Sequence, residues 1–374
     1  MLTERLNHLH ADLQTQEVDC LAVIPGPNLL YLTGVKVHLM ERAVIGFFPA
    51  KGAPVFLLPS LETERIQEAL PYEARFFPYF DADGPASAAQ QAAAAVPALA
   101  RLAVEYLQMR VQELTLIEEH LPHATIVNAQ PIMDALRLRK NGDEIEAMQQ
   151  AIAITERALH RVIEGVQPGM TEREIASQLT IALLEEGSGA APFEPIVLSG
   201  PRSALPHGEP TDRPIDRGDL LLIDFGASRD GYISDITRTF IVGQPPGAKL
   251  LNIYQAVKEA NSAGRLAAGP GVPCEEVDRA ARRVIEEWGY GDYFIHRTGH
   301  GIGLEAHEGP YIVKGNQSRL EPGMTFTVEP GIYIPNLGGV RFEDDVWITE
   351  DSVVSLTEYE RDLLIIGAPE PDDD

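Results

Sequence analysis

Short apolar runs alternate with helical stretches through the first part of the chain. Two such runs are LAVI at residues 21–24 and VFLL at residues 55–58. Runs of this length are typical of buried strands, and strands that alternate with helices are typical of α/β domains. We therefore expect an N-terminal α/β domain at residues 1–130, in which no cluster of catalytic residues is apparent.

A second domain is expected at residues 131–374, because a single core rarely grows beyond ~250–300 residues and the chain has 374 residues. Asn141 or Asp143 can cap the first helix of this domain. Apolar residues recur along one face of that helix, namely Ile145, Met148, Ile152 and Leu159.

The second domain repeats its own pattern. A Pro-Gly pair at 168–169, followed by a helix that ends at Gly187, recurs 102 residues later as a Pro-Gly pair at 270–271 and a helix that ends at Gly289. The repeat indicates that the two halves of this domain are copies of one unit.

The strands that follow extend the repeat and carry acidic residues. A predicted strand that ends at Asp224 recurs 105 residues later and ends at Glu329. Asp235 and Glu343, 108 residues apart, each lie in a further predicted strand. A folded repeat would place the four carboxylates about a pseudo-two-fold axis.

The periodicity of these strands predicts which way the acids point, because alternate side chains face opposite sides of a sheet. In the predicted strand 232–242, Asp235 lies opposite to three apolar residues, Ile236, Phe240 and Val242. In the predicted strand 340–348, Glu343 shares a face with Arg341, opposite to Val340 and Phe342.

An acid in an apolar strand is costly to bury unless it is paired, protonated or bound to a metal. Any one of these carboxylates could be an ordinary strand-end residue in a turn. Four acids in symmetric register favour a shared function, and metal binding accounts for all four together.

Four of the ten histidines lie between residues 207 and 307, and three of these four belong to one glycine-rich motif, HRTGHGIGLEAHE at 296–308. Glycines let a backbone approach a ligand closely, and imidazole can bind a metal or transfer a proton. The four candidates are His207, His296, His300 and His307. The other six histidines are interpreted as ordinary core or surface residues.

Four carboxylates and one imidazole suit two divalent ions, Mn²⁺ or Co²⁺ before Zn²⁺, because oxygen ligands dominate. Cys20 and Cys274 are far apart in sequence and suggest neither a disulfide framework nor a thiolate site. Two ions ~3.5–4 Å apart would hold a bridging water, lower its pKa and polarise a carbonyl group, which is hydrolytic chemistry.

The formal net charge of −26 disfavours binding to nucleic acids and anionic membranes, so small or cationic partners are expected. The N-terminus lacks a secretory signal pattern, and no apolar run reaches the ~20 residues of a membrane span. We therefore expect a cytoplasmic protein. The charged, proline-containing segment 369–374 predicts a disordered end.

Four motifs of the second domain resemble those of the prolidase and aminopeptidase P family of Xaa-Pro peptidases. They are SGPRSALPHG at 199–208, GHGIG at 299–303, EPGIY at 329–333 and RFED at 341–344. The segment NLLYLTG at 28–34 resembles part of the smaller N-terminal domain that these enzymes carry. The resemblance covers the second domain nearly from end to end.

This resemblance implies a pita-bread catalytic domain with two metal ions. Asp224 and Asp235 would bind one ion, and His300 and Glu329 would bind the other. Asp235 and Glu343 would bridge both ions.

The resemblance also implies roles in catalysis and substrate binding. Glu329 would be the general base for the bridging water. His207 and His307 would bind substrate and assist proton transfer or charge stabilisation. Arg341 would orient the site, and His296 would line the pocket.

The implied activity is hydrolysis of the bond between an N-terminal residue and proline in small peptides. Prolidases similar to this chain often have Arg where this chain has Tyr311, and that Arg can pair with the C-terminal carboxylate of a dipeptide. A phenol lacks the forked charge of a guanidinium, so Tyr311 predicts that longer Xaa-Pro peptides are accepted unless another Arg substitutes. The resemblance favours a homodimer in which the smaller domain of one chain helps to close the site of the other.

Two alternatives remain open at the level of sequence. One is a metal-free, creatinase-like enzyme with the same fold, although all five ligand types are present here. The other is a binding protein that has kept the fold and lost catalysis.

Overall fold

The computed structural model of the chain describes residues 1–97 and 99–367, and the predicted disordered segment 369–374 lies outside them. The chain divides into two compact units, Met1–Arg137 and Leu138–Asp374. The helix Gln130–Arg137 belongs to the first of these units.

The first unit is an α/β domain built on one mixed sheet of six strands, in the order β4-β3-β2-β1-β5-β6. Strand β1 runs antiparallel to β2 and parallel to β5. In chain order the elements are α1 Leu2–Thr15, β1 Cys20–Val23, α2 Pro27–Thr33, β2 Ile45–Pro49, β3 Val55–Pro59, α3 Ser60–Ala69, β4 Arg75–Tyr79, α4 Ala86–Ala95, β5 Arg101–Val104, α5 Val111–His120, β6 Thr125–Asn128 and α6 Gln130–Arg137.

The second unit contains four α-helices and thirteen strands within its described residues. Two short 3₁₀ helices, Gly200–Ala204 and Gly291–Tyr293, complete it. In chain order the elements are α7 Gly142–Gly165, α8 Glu172–Glu185, β7 Ile196–Ser199, β8 Leu220–Phe225, β9 Ser228–Arg229, β10 Tyr232–Ile233, β11 Ile236–Val242, α9 Ala248–Ala267, α10 Cys274–Glu287, β12 Gly299–Gly301, β13 Glu308–Ile312, β14 Thr325–Val328, β15 Gly331–Ile334, β16 Gly338–Arg341, β17 Asp344–Ile348, β18 Val353–Ser355 and β19 Ile365–Ile366.

The repeat in the sequence is a repeat in the fold. One sheet has the order β19-β11-β8-β7 and the other β13-β12-β14-β17-β18, so β7-β8-β11 in the first half correspond to β12-β14-β17 in the second. Each half also has one two-stranded hairpin, β9-β10 or β15-β16. Helices α8 and α10 begin and end 102 residues apart, as the Pro-Gly spacing predicts.

Capping and apolar burial explain where the first helix of this unit lies. Asn141 caps α7 in a capping box with Glu144, and such a cap is worth about 1 kcal/mol. The four apolar residues predicted to share one face of this helix are all buried: Ile145, Met148, Ile152 and Leu159. The cap therefore starts the helix at the position that lets this face join the core.

Both predicted strands that carry Asp235 and Glu343 are interrupted at the acid. The first is divided into β10 and β11 and the second into β16 and β17. The Asp235 N–H donates to the Asp345 side chain, and the Glu343 N–H donates to the Thr237 carbonyl in the other half of the repeat. At each acid the chain ends its pairing with one strand and begins pairing with another. Strand alternation therefore predicts which side of the sheet each acid faces, but it does not predict that the strand is interrupted there.

Candidate metal centre

Five buried or nearly buried groups from five separate segments surround one cavity of about 490 Å³. Asp224 is the penultimate residue of β8, Asp235 and Glu343 occupy the two strand breaks, His300 is the middle residue of β12, and Glu329 directly follows β14. The cavity is lined by Phe193, Ile196, Pro206, His207, Asp224, Asp235, His296, Arg297, His300, Ala306, His307, Glu329, Arg341 and Glu343.

Three of these groups are close enough to share one ion. One potential ligand atom each of Asp235, His300 and Glu343 lies within 4.8 Å of the other two. His300 Nε2 is also 3.2 Å from Glu329 Oε1 and 4.0 Å from Asp235 Oδ2. Asp224 lines the same cavity.

The acids are held under strong mutual repulsion. Burial raises the pKa of Asp235 and Glu343 well above the usual range, and neighbouring carboxylates raise both further. Burial also raises the pKa of Asp224, although the charge of Arg341 opposes this effect. Among the described residues, Asp224 Oδ1 and Asp235 Oδ1 have no hydrogen-bond partner despite being buried. A divalent cation would supply the missing partner and relieve the repulsion, so the residues present fit a metal.

The orientation of His300 also fits a metal ligand. Its Nδ1 lies 3.2 Å from the Gly301 carbonyl, which can only accept, so Nδ1 carries a proton. The other ring nitrogen, Nε2, faces Glu329 Oε1. Two acceptors at 3.2 Å require a proton or a cation between them.

Hydrogen bonds behind the cavity hold the acids in place. Thr237 Oγ1 donates to Glu343 Oε2 at 2.6 Å, and Arg341 Nε donates to the same hydroxyl at 3.0 Å. Arg341 also forms an ion pair with Asp224 and donates from Nη1 to the Tyr333 hydroxyl at 2.8 Å. Tyr333 in turn lies 2.9 Å from His296 Nε2. One chain of contacts therefore connects Asp224 with the pocket residue His296.

A second network, built on the buried pair Asp344 and Arg238, fixes the main chain beside Glu343. Asp344 accepts hydrogen bonds from Arg238 at 2.7 Å and from Arg361 at 2.8 and 2.9 Å. Arg238 Nη1 donates to the carbonyls of Glu343 and Thr237 at 2.7 and 2.9 Å. Arg238 therefore connects β11, which contains Thr237, with the chain segment that contains Glu343.

His207 and His307 also line the cavity. The ring centroid of His307 is 4.2 Å from that of His300. Burial, together with the charges of His300 and Arg297, lowers the pKa of His307 to about 4. Tyr311 is 44% exposed and does not line the cavity, but the Arg297 guanidinium carbon lies 4.7 Å above its ring.

Nine of the ten site residues selected from sequence therefore meet at one cavity, and Tyr311 lies beside it. Sequence reasoning missed Thr237, Tyr333 and Arg297. Thr237 shares a strand face with Asp235 and could have been found from that alternation. Tyr333 and Arg297 lie inside the recognised motifs, but nothing in their spacing indicates what they contact.

Comparison with known proteins identifies the class. The family model of metallopeptidase family M24 matches residues 146–350, and that of the creatinase/prolidase N-terminal domain matches residues 5–139. The chain belongs to metallopeptidase family M24. Membership implies binding of divalent metal, in agreement with the buried Asp, His and Glu cluster.

Three individual proteins show which members of this family the chain resembles. The chain is 47% identical to a Xaa-Pro dipeptidase of Pyrococcus furiosus over 233 residues, which are 62% of this chain and 67% of that protein. It is 34% identical over 368 residues to a Xaa-Pro dipeptidase of Pyrococcus horikoshii, covering 97% and 99% of the two chains. The crystal structure of a prolidase from Thermococcus sibiricus matches with a TM-score of 0.93 and 34% identity, covering 98% and 99%.

These matches confirm three predictions made from sequence, namely the Xaa-Pro peptidase family, the fold with its pita-bread domain, and a metallopeptidase. No α-helix within residues 1–97 and 99–367 is both long and apolar enough to cross a membrane.

Proposed function

We propose that the protein is a two-metal peptidase that hydrolyses the bond between an N-terminal residue and proline in small peptides. The observation that carries the proposal is the convergence of four carboxylates and one imidazole on a cavity wide enough for a short peptide. The relatives named as Xaa-Pro dipeptidases and prolidase support the substrate class.

In this proposal Asp224, Asp235, His300, Glu329 and Glu343 would together hold two ions. Oxygen donors dominate this set, which favours Mn²⁺ or Co²⁺ over Zn²⁺. When bound, the ions would lower the pKa of the attacking water and polarise the substrate carbonyl.

Glu329 is proposed as the general base. In the metal-free site burial alone would raise the pKa of Glu329, but the hydrogen bond with His300 and the charges of His300, His296 and Arg341 outweigh it and lower this pKa, so the carboxylate is ionised and able to accept a proton. Glu329 takes a proton from water as the oxygen attacks the carbonyl carbon. The proton then passes to the proline nitrogen as the carbon–nitrogen bond breaks.

The imidazoles around the substrate are proposed to stabilise charge. His307 has a pKa of about 4 and is therefore neutral near pH 7, where its N–H can donate to the oxygen of the tetrahedral intermediate. His207 lines the same cavity and is proposed to act with it. Arg341 positions Asp224 through their ion pair and is held by Tyr333.

The proposal is tested by metal removal and replacement. Protein stripped with a chelator is expected to lose hydrolysis of an Xaa-Pro dipeptide and to recover it with added Mn²⁺ or Co²⁺, with two ions bound per chain by elemental analysis. Glu329→Gln should abolish turnover while circular dichroism stays unchanged. Full activity after complete metal removal would refute the proposal.

We also propose that the chain forms a homodimer. The first unit exposes large apolar side chains that a partner surface could cover, among them Phe80, Leu107 and Val111, which are 64%, 86% and 79% exposed. Light scattering is expected to give twice the mass of the chain, and a monomer at micromolar concentration would contradict this.

A further inference from the structure

Arg297 is a positive charge in the wall of the candidate site, and it has no negative partner among the described residues. Its side chain lines the cavity together with the four carboxylates. Within residues 1–97 and 99–367, it forms no ion pair and no hydrogen bond through its guanidinium. The other arginine of the cavity, Arg341, is occupied by Asp224, Thr237 and Tyr333.

The contact that Arg297 does make leaves its donors available. Its guanidinium carbon lies 4.7 Å from the centroid of the Tyr311 ring, a cation–π distance. A guanidinium that contacts an aromatic ring in this way keeps its N–H groups available for a planar, bidentate partner such as a carboxylate.

The pairing of β12 with β13 places Tyr311 beside His300, one of the candidate metal ligands. Tyr311 in β13 lies directly opposite His300 in β12, and Gly299 lies opposite Ile312. The Tyr311 carbonyl accepts a hydrogen bond from Asn316 Nδ2 at 2.7 Å, which holds the end of β13. Arg297 precedes His300 by three residues, and both side chains line the cavity.

We propose that Arg297, supported by Tyr311, binds the C-terminal carboxylate of the substrate and selects dipeptides over longer peptides. This inference rests on the proposed function and goes beyond it by assigning the length of the substrate. It takes up the exception stated in the sequence analysis, that another arginine substitutes for the one absent at Tyr311, and it gives Tyr311 the role of contacting that arginine.

The test compares an Xaa-Pro dipeptide with its C-terminal amide, which has the same side chains and no carboxylate. Metal-loaded wild-type protein should prefer the free acid. Arg297→Gln should raise KM for the acid about 10- to 100-fold, the range expected for a lost charge-assisted hydrogen bond, with a smaller change in kcat. The increase in KM for the amide should be much smaller.

Three further variants separate charge from structure. Arg297→Lys should retain part of the preference for the free acid over the amide because it keeps the positive charge. Tyr311→Leu should lose part of this preference because the aromatic ring that contacts Arg297 is removed. Arg283→Gln, on the exposed face of α10 with its side chain 72% exposed, is the matched control and should behave as wild type. Equal losses on acid and amide in Arg297→Gln would show a structural role and overturn the proposal.

A failure of the proposed function gives a different result. If metal-loaded wild type cleaves neither compound, the peptidase assignment fails, and calorimetric titration with the same two compounds decides the role of Arg297. Tighter binding of the acid that disappears in Arg297→Gln would support the carboxylate site. Equal binding of acid and amide would overturn it.

Discussion

Replacing Arg238 by Met should destabilise the second unit more than any exposed charge change. The Arg238 side chain is 1% exposed, and its partner Asp344 is 0% exposed. Arg238 donates to Asp344 at 2.7 Å and to four backbone carbonyls at 2.7 to 3.0 Å. Removing one partner of a buried ion pair costs about 3–5 kcal/mol. Arg361 still pairs with Asp344 in Arg238→Met, but four backbone carbonyls also lose this donor.

The assay is thermal unfolding of the metal-free protein. One kcal/mol shifts Tm by about 2–4 °C in a unit of this size, so Arg238→Met should lower Tm by about 6–20 °C. Arg361→Met is the matched control, since Arg361 pairs with the same carboxylate but its side chain is 20% exposed. The decrease in Tm caused by Arg361→Met should be clearly smaller. Equal shifts in the two variants, or no shift in Arg238→Met, would refute the reasoning.

The same pair predicts how stability changes with pH. Burial alone would raise the pKa of Asp344, but Arg238 and Arg361 reverse this and hold it below the usual value. A depressed carboxyl pKa contributes stability that is present above the unfolded pKa of about 3.9 and is lost as pH falls through the lower, folded value. The Tm difference between wild type and Arg238→Met should therefore shrink in acid.

Three remaining predictions concern the metal centre. Gly299→Ala should abolish activity, because a Cβ there would lie 1.8 Å from the Thr327 carbonyl oxygen and push β12 away; normal kinetics would contradict this. His300→Ala should reduce bound metal from two ions to one by elemental analysis, and unchanged stoichiometry would remove His300 from the ligand set. Metal binding should release protons and weaken as pH falls, because the pKa values of Asp235 and Glu343 are raised in the metal-free site. Calorimetry in buffers of different ionisation enthalpy measures this release, and a result independent of buffer would refute it.

Sequence reasoning succeeded where a side chain's environment follows from local spacing. The 102-residue displacement of α8 and α10 could be read from Pro-Gly pairs, and the apolar face of β11 from alternation: Ile236, Phe240 and Val242 all join one core cluster. Both signals depend on the period of a single element. They remain visible when the tertiary partners of that element are unknown.

The features that sequence did not reveal depend on partners far away in the chain. The breaks at Asp235 and Glu343 exist because their N–H groups bond to Asp345 and Thr237, more than 100 residues away. The contact of Arg297 with Tyr311 arises from the antiparallel ladder that folds β13 onto β12. Spacing along the chain carries no information about such pairings.

The structure explains why the duplicated site is asymmetric. In the first half Leu198 of β7 pairs with Leu222 of β8. In the second half Gly301 pairs with Phe326, and continuing this antiparallel register by one residue places His300 opposite Thr327, the repeat equivalent of Leu222. His300 therefore occupies the position of Leu198, and Thr327 donates its hydroxyl hydrogen to Glu329 Oε1 at 3.3 Å. In the first copy of the repeat this position belongs to the hydrophobic core, and in the second copy it holds a candidate metal ligand. The carboxylates are therefore paired by the duplication but the imidazole is not, which makes the two proposed metal ions chemically unequal.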